Sequence, residues 1–123
     1  MRTASSALKR SRHHRFEKLV ERILSQIDPA VRQALDNVSF VVEESPSDGA
    51  PGQFGVYDGV PKSERGGGYT FVVPDRIVIF QKPLVEAFPD QRDLEEQVRI
   101  TLLHEIGHHL GLDEDELDQL GLT

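Results

Sequence analysis

The sequence has no cysteine and no tryptophan, and Met1 is its only methionine. Without thiols, disulfide staples and thiolate metal sites are excluded, so a transition-metal centre must be built from imidazole and carboxylate. No apolar run approaches the roughly 18–20 residues that cross a bilayer, and the N-terminus lacks the apolar core of a secretory signal. A cytoplasmic protein with no membrane partner is the expectation. Positive charge is also scarce, with 14 Lys and Arg against 21 Asp and Glu, a net charge of −7. Seven of those bases lie in residues 1–22 beside only Glu17 and Glu21, which leaves that stretch at +5 and the remainder at −12. An acidic body argues against nucleic acid as the main partner.

At 123 residues, 37% hydrophobic and 28% charged, the chain suits one soluble domain with a modest core. Residues 1–14 are basic, serine-containing and poor in large apolar groups, which predicts a disordered basic arm. His13 and His14 in that arm could bind metal or phosphate, but nothing around them fixes a geometry, and a solvated tail is the plainer reading. Residues 15–123 read as the folded domain. Phe16, Leu19, Val20, Ile23, Leu24 and Ile27 form a stripe at helical spacing. Asp28-Pro29 then breaks that helix and caps a short second one.

Residues 38–43 (VSFVVE) predict a strand, 45–52 a Pro/Gly loop, and 54–57 a second short strand. Residues 62–68 (KSERGGG) lack the spacing of a phosphate loop and read as a mobile excursion. Tyr69 to Val73 is a local pairing candidate. Asp75 to Gln81 (DRIVIFQ) is the strongest strand, Pro83 opens a short helix to Phe88, and a long helix follows over about 91–110. On that helix Leu94, Val98, Leu102, Ile106 and Leu110 share an inward face, with Thr101, His104 and His108 at its edge.

The long helix carries the string His104-Glu105-Ile106-Gly107-His108-His109-Leu110-Gly111. Residues four apart on a helix lie about 40° apart around the axis, so His104 and His108 can reach one ion at the roughly 2.0–2.1 Å of a zinc–imidazole bond. Glu105 stands next to the first histidine, where a carboxylate can take a proton from an activated water. His109 points about 100° away from His108 and is expected to be a packed, hydrogen-bonded residue rather than a ligand. Gly111 can end the helix in a left-handed cap and turn the acidic run from Asp113 to Asp118 back toward the histidines. Glu114 is placed as third ligand, with Asp113 as the alternative. Asp113 and Glu116 also fit a capping box for a last helical turn. The plainer alternative, a buried helix that happens to carry polar groups, leaves two histidines and a glutamate without a role.

HEIGHHLG followed by LDEDEL, and preceded by PDRIVIFQKPLVEAFP, resembles the small bacterial zincin-like metallopeptidases, the minimal zincins. YDGVP at 57–61 adds to the resemblance, which runs from about Phe16 to the end. It implies an α+β fold in which a small mixed sheet packs on the HExxH helix, with the N-terminal helices on the same side. It also implies Zn2+ held by His104, His108 and an acidic residue after Gly111, with Glu105 as general base. Two features depart from larger zincins: no methionine lies beneath the metal, and only twelve residues follow Gly111 to build a second wall of the cleft.

The leading expectation is a zinc-dependent peptidase, weak, acting on short or unfolded peptides. The peptide would lie as an extended strand along an edge offered by residues 69–81, and a partner protein could complete the cleft. Tyr57, Tyr69 and Arg65 are the nearest oxyanion candidates, each more simply structural. The alternative is a metal-binding or protein-interaction module that keeps the scaffold without catalysis.

Overall fold

The apolar run at residues 77–80 becomes the centre of the sheet because a strand flanked on both sides must be apolar on both faces. In the computed structural model, which describes residues 3–35, 37–47, 52–59 and 75–119, strand β3 (Asp75–Phe80) lies between β1 (Val38–Glu43) and β2 (Gly55–Asp58). β1 runs parallel to β3, pairing Val38 with Asp75 through Glu43 with Phe80. β2 runs antiparallel, pairing Gly55 with Ile79 and Tyr57 with Ile77. The sheet is therefore mixed, as expected. The expected peptide-binding edge at residues 69–81 is corrected for β3, whose two edges are both taken; residues 69–74 lie outside the described residues. Among the described residues the free edges belong to β1 and β2.

Among the described residues five helices accompany the sheet: α1 (Thr3–Ser25), α2 (Pro29–Gln33), α3 (Gln81–Ala87), α4 (Gln91–His109) and α5 (Glu114–Gln119). Phe16, Leu19, Val20, Ile23 and Ile27 of the N-terminal stripe join Ile77 and Ile79 of β3 and Leu94, Val98, Leu102 and Ile106 of α4 in one core. α1 and α4 thus cover the same face of the sheet. Val31 and Leu35 pack against that core, and Asp28 caps α2 by accepting from the Ala30 amide at 2.8 Å.

The expected disordered arm over residues 1–14 is corrected from Thr3 onward, since α1 begins there rather than at residue 15. No proline or glycine stands between Thr3 and Ser25, and Ala4, Ala7, Leu8, Lys9, Arg10 and Arg12 all favour helix. Once the apolar stripe has nucleated the helix, adding turns at its N-terminus costs little. His13, expected in a solvated tail, is partly buried with Nδ1 2.8 Å from Gln81 Oε1.

β3 ends one residue before Gln81, and α3 starts there rather than at Pro83. Pro83 sits in the first turn, where a helix needs no amide donor, and the Lys82 amide turns to the Glu44 carbonyl at 2.9 Å. Asp90 caps α4, its carboxylate accepting from the amides of Arg92 and Asp93. Gly55 lets α4 approach β2 closely, because a Cβ there would stand 2.8 Å from Thr101 Cγ2. The glycine loop at 62–68 lies outside the described residues, and among those described no helix is long and apolar enough to cross a membrane.

Candidate metal centre

α4 presents Leu94, Val98, Leu102 and Ile106 to the core, and this fixes the rotation of the helix. With that face buried, His104 and His108 fall at the rim, their side chains 22% and 30% exposed. Their rings meet edge to face with centroids 4.5 Å apart. Leu110 and Gly111 then end the helix as the sequence predicts. Gly111 adopts φ 87°, a left-handed conformation that a Cβ disfavours. Its amide reaches the His108 carbonyl at 3.0 Å, and the Leu112 amide reaches the Gly107 carbonyl at 2.9 Å. This is the paired hydrogen-bond pattern of a Schellman stop.

The stop returns the chain toward the histidines. Asp113 and Glu116 form the expected capping box: the Glu116 amide donates to Asp113 Oδ1 at 2.8 Å, and the Asp113 amide donates to Glu116 Oε1 at 3.1 Å. That places Asp113 at the helix cap and Glu114 over the two imidazoles. Glu114 Oε1 lies 2.9 Å from His108 Nε2 and 3.6 Å from His104 Nε2.

Two overlapping donor sets meet here. His104, Glu105 and His108 each offer one ligand atom within 4.8 Å of the others. Glu105, however, is buried with Oε1 2.8 Å from His108 Nδ1, on the opposite side of the ring from Nε2. Glu114 Oε1, by contrast, lies close to the Nε2 atoms of both histidines. Donors about 2.0–2.1 Å from a tetrahedral ion stand about 3.3 Å apart, and 2.9 and 3.6 Å straddle that edge. Two imidazoles and one carboxylate are donors that suit a divalent transition metal.

The charges around His108 act on its proton. Burial lowers its pKa, but hydrogen bonds to Glu114 and Glu105, together with their charges, outweigh burial and raise it above the ordinary 6.5.

His109 is fully buried, as expected of a packed residue, and its Nδ1 lies 2.8 Å from Asp75 Oδ2. The same oxygen accepts from the Tyr57 hydroxyl at 2.7 Å, and the Tyr57 ring packs edge to face on His109 at 5.6 Å. Asp75 therefore ties the last helical residue of α4 to both β2 and β3. Tyr57 is structural here, its hydroxyl directed to Asp75. Tyr69 and Arg65, the other oxyanion candidates, lie outside the described residues.

The role of Asp75 escapes the sequence reading, though a signal for it exists. It opens the most apolar strand and falls on the parity of Ile77 and Ile79, the face turned to α4. Replacing it by alanine would take their shared acceptor from the buried His109 and the half-buried Tyr57, at about 1–3 kcal/mol for the buried donor alone. Asp75→Ala should therefore lower the urea midpoint far more than Tyr57→Phe, which removes a single hydrogen bond. An effect no larger than that of the exposed Asp115→Ala would contradict the clamp.

Residues 35–122 match the family described as zincin-like metallopeptidase, a span that holds the sheet, α4 and α5. The chain belongs to the zincin-like metallopeptidase family. Among solved structures, this family member resembles a conserved hypothetical protein from Thermo thermophilus, with 25% identity and a TM-score of 0.55. The match covers 90% of this chain and 99% of that one. No curated protein matches the chain.

Proposed function

We propose that this zincin-like protein is a zinc-dependent peptidase in which His104, His108 and Glu114 hold the metal and Glu105 moves the proton. The observation that carries the reading is the convergence of the two Nε2 atoms and Glu114 Oε1 at 2.9 and 3.6 Å beside the buried Glu105. When bound, zinc supplies Lewis-acid polarisation of the scissile carbonyl and acidifies water to a pKa of about 7. Glu105 Oε1 is engaged by His108 Nδ1, which leaves Oε2 to accept the proton of the attacking water and pass it to the leaving amine. The same contact holds the His108 ring with Nε2 turned outward. Asp75 and His109 fix the end of α4, and with it the turn that delivers Glu114.

β2 is an edge strand that meets α4 at Gly55 and Thr101, and its free edge is the one an extended peptide would extend. Glu114 is 65% exposed and both imidazoles are open at one side, so water is poorly excluded. Weak electrostatic stabilisation and loose positioning follow, since both depend on a dry, closed site. The expected substrates are short or unfolded peptides, and a partner protein could supply the second wall. A non-catalytic metal-binding or interaction module is the second reading. It is favoured by one observation, that Glu105 is turned onto His108 rather than standing free.

The test is metal removal. Zinc-loaded protein should cleave unstructured peptides, lose that activity on dialysis against a chelator and regain it when zinc is restored. Cleavage that persists after the metal is removed would overturn the assignment. Within the same reading, Glu114→Ala should weaken zinc binding more than Asp113→Ala. Asp113→Ala should instead cost about 0.5–2 kcal/mol of stability through its lost cap. Competition with a chelator and urea titration measure the two effects, and the reverse ranking would give the third position to Asp113.

A further inference from the structure

A cleft of about 670 Å³ lies between the N-terminal half of α1 and α3. Lys9, Arg10 and Arg12 line it from α1 and Lys82 from α3, with Glu44 and Glu86 as the acidic members. It sits at the Phe80 end of β3, whereas the metal centre is tied to the Asp75 end through His109. Six strand residues separate those ends by roughly 17 Å, so the cleft is distinct from the metal centre.

Three observations point to a ligand. The first is charge. Lys18, Arg22, Arg76 and Arg99 each pair with an acid, whereas Lys9, Arg10, Arg12 and Lys82 make no ion pair among the described residues. In a chain of net charge −7, these four gather at one cleft, while Arg15, Arg32 and Arg92, also without an ion pair among the described residues, lie outside it. The second is apolar exposure. Leu8 and Val85, 63% and 41% exposed, are the exposed large hydrophobic residues among those described. Val85 lines the cleft, and Leu8 shares a helix face with Arg12 at i, i+4. The third is the helix itself. Residues 7–12 are all exposed, so this stretch of α1 buries no face, and helices of that kind gain little stability from propensity alone.

We propose that this cleft is a docking site for a peptide segment that carries both carboxylates and apolar side chains. The cations meet the carboxylates, and Leu8 and Val85 meet the apolar groups. Nucleic acid fits less well, because no Phe, Tyr or Trp lines the cleft among the described residues to stack on bases, whereas the exposed Leu8 and Val85 suit apolar side chains. A single inorganic anion is also a poor match, since the volume is that of a site for a much larger ligand. This proposal stands apart from the peptidase reading and requires no metal.

The test uses the full chain and a short fluorescein-labelled peptide of Asp, Glu and Leu. A second peptide with Asn and Gln in place of the acids serves as control. Fluorescence anisotropy at low salt should show saturable binding of the acidic peptide only, weakened as salt is raised. The double variant Arg12→Glu, Lys82→Glu should weaken binding about tenfold or more, because attraction becomes repulsion at two positions. Arg92→Glu reverses a cation outside the cleft and should leave binding within about twofold of wild type. Circular dichroism confirms that α1 is retained in each variant. Absent saturable binding, an equal loss in Arg92→Glu, or tighter binding of a single-stranded oligonucleotide would each overturn the proposal.

Discussion

His104→Ala and His108→Ala should each reduce zinc from one ion per chain to near zero at micromolar protein. Even the loss of a partner that only hydrogen-bonds a metal ligand typically costs 10–100-fold in affinity, and removal of the ligand itself should exceed that range. The fold should survive, because both side chains are at the rim of α4 and contribute little to the core that holds the helix. The His108 proton adds a pH signature. A metal must displace it, so zinc binding should weaken as pH falls through a value above 6.5, the direction in which the Glu114 and Glu105 contacts move this group. The metal-free protein should show the opposite slope. A group whose folded pKa is raised contributes stability that is fully present below its unfolded value and is lost as pH rises through the folded one. Chelator competition and urea titration over about pH 6 to about pH 8 would measure the two slopes. Zinc content unchanged in both alanine variants, with the fold intact, would remove the site.

What is legible in the sequence here is what is local. The histidine pair, the left-handed stop at Gly111 and the Asp113–Glu116 capping box all depend on spacings of three or four residues, and each appears as read. The strands and the short Asp28-capped helix are visible for the same reason. Strand order is not, because β3 takes the central position through pairings with segments more than thirty residues away and, on its other side, about twenty. β3 consequently cannot offer the peptide-binding edge expected within residues 69–81. Asp75 is hidden on similar grounds: a carboxylate beside apolar residues gives no sign of which donors it will meet until the sheet and α4 are brought together. The N-terminal helix differs for another reason. Composition suggests disorder over residues 1–14, but an unbroken run of helix formers joined to a nucleating stripe continues as helix.

The position of Glu105 makes the two readings of the site separable. Its carboxylate is buried between the helix and His108, so Glu105→Gln keeps the shape and leaves an amide that can still engage the ring. An amide cannot accept the proton of an attacking water at neutral pH. Zinc content should therefore persist while the chemical step fails, and a general base typically contributes 10²–10⁴-fold to a rate. A measurement of new amino termini released from an unstructured peptide library, by wild type and Glu105→Gln carrying equal zinc, tests the peptidase account most directly. The expected result is slow, broadly specific cleavage by wild type and a loss of about 10²-fold or more in the variant. Equal rates from the two proteins, or no cleavage by either, would contradict it.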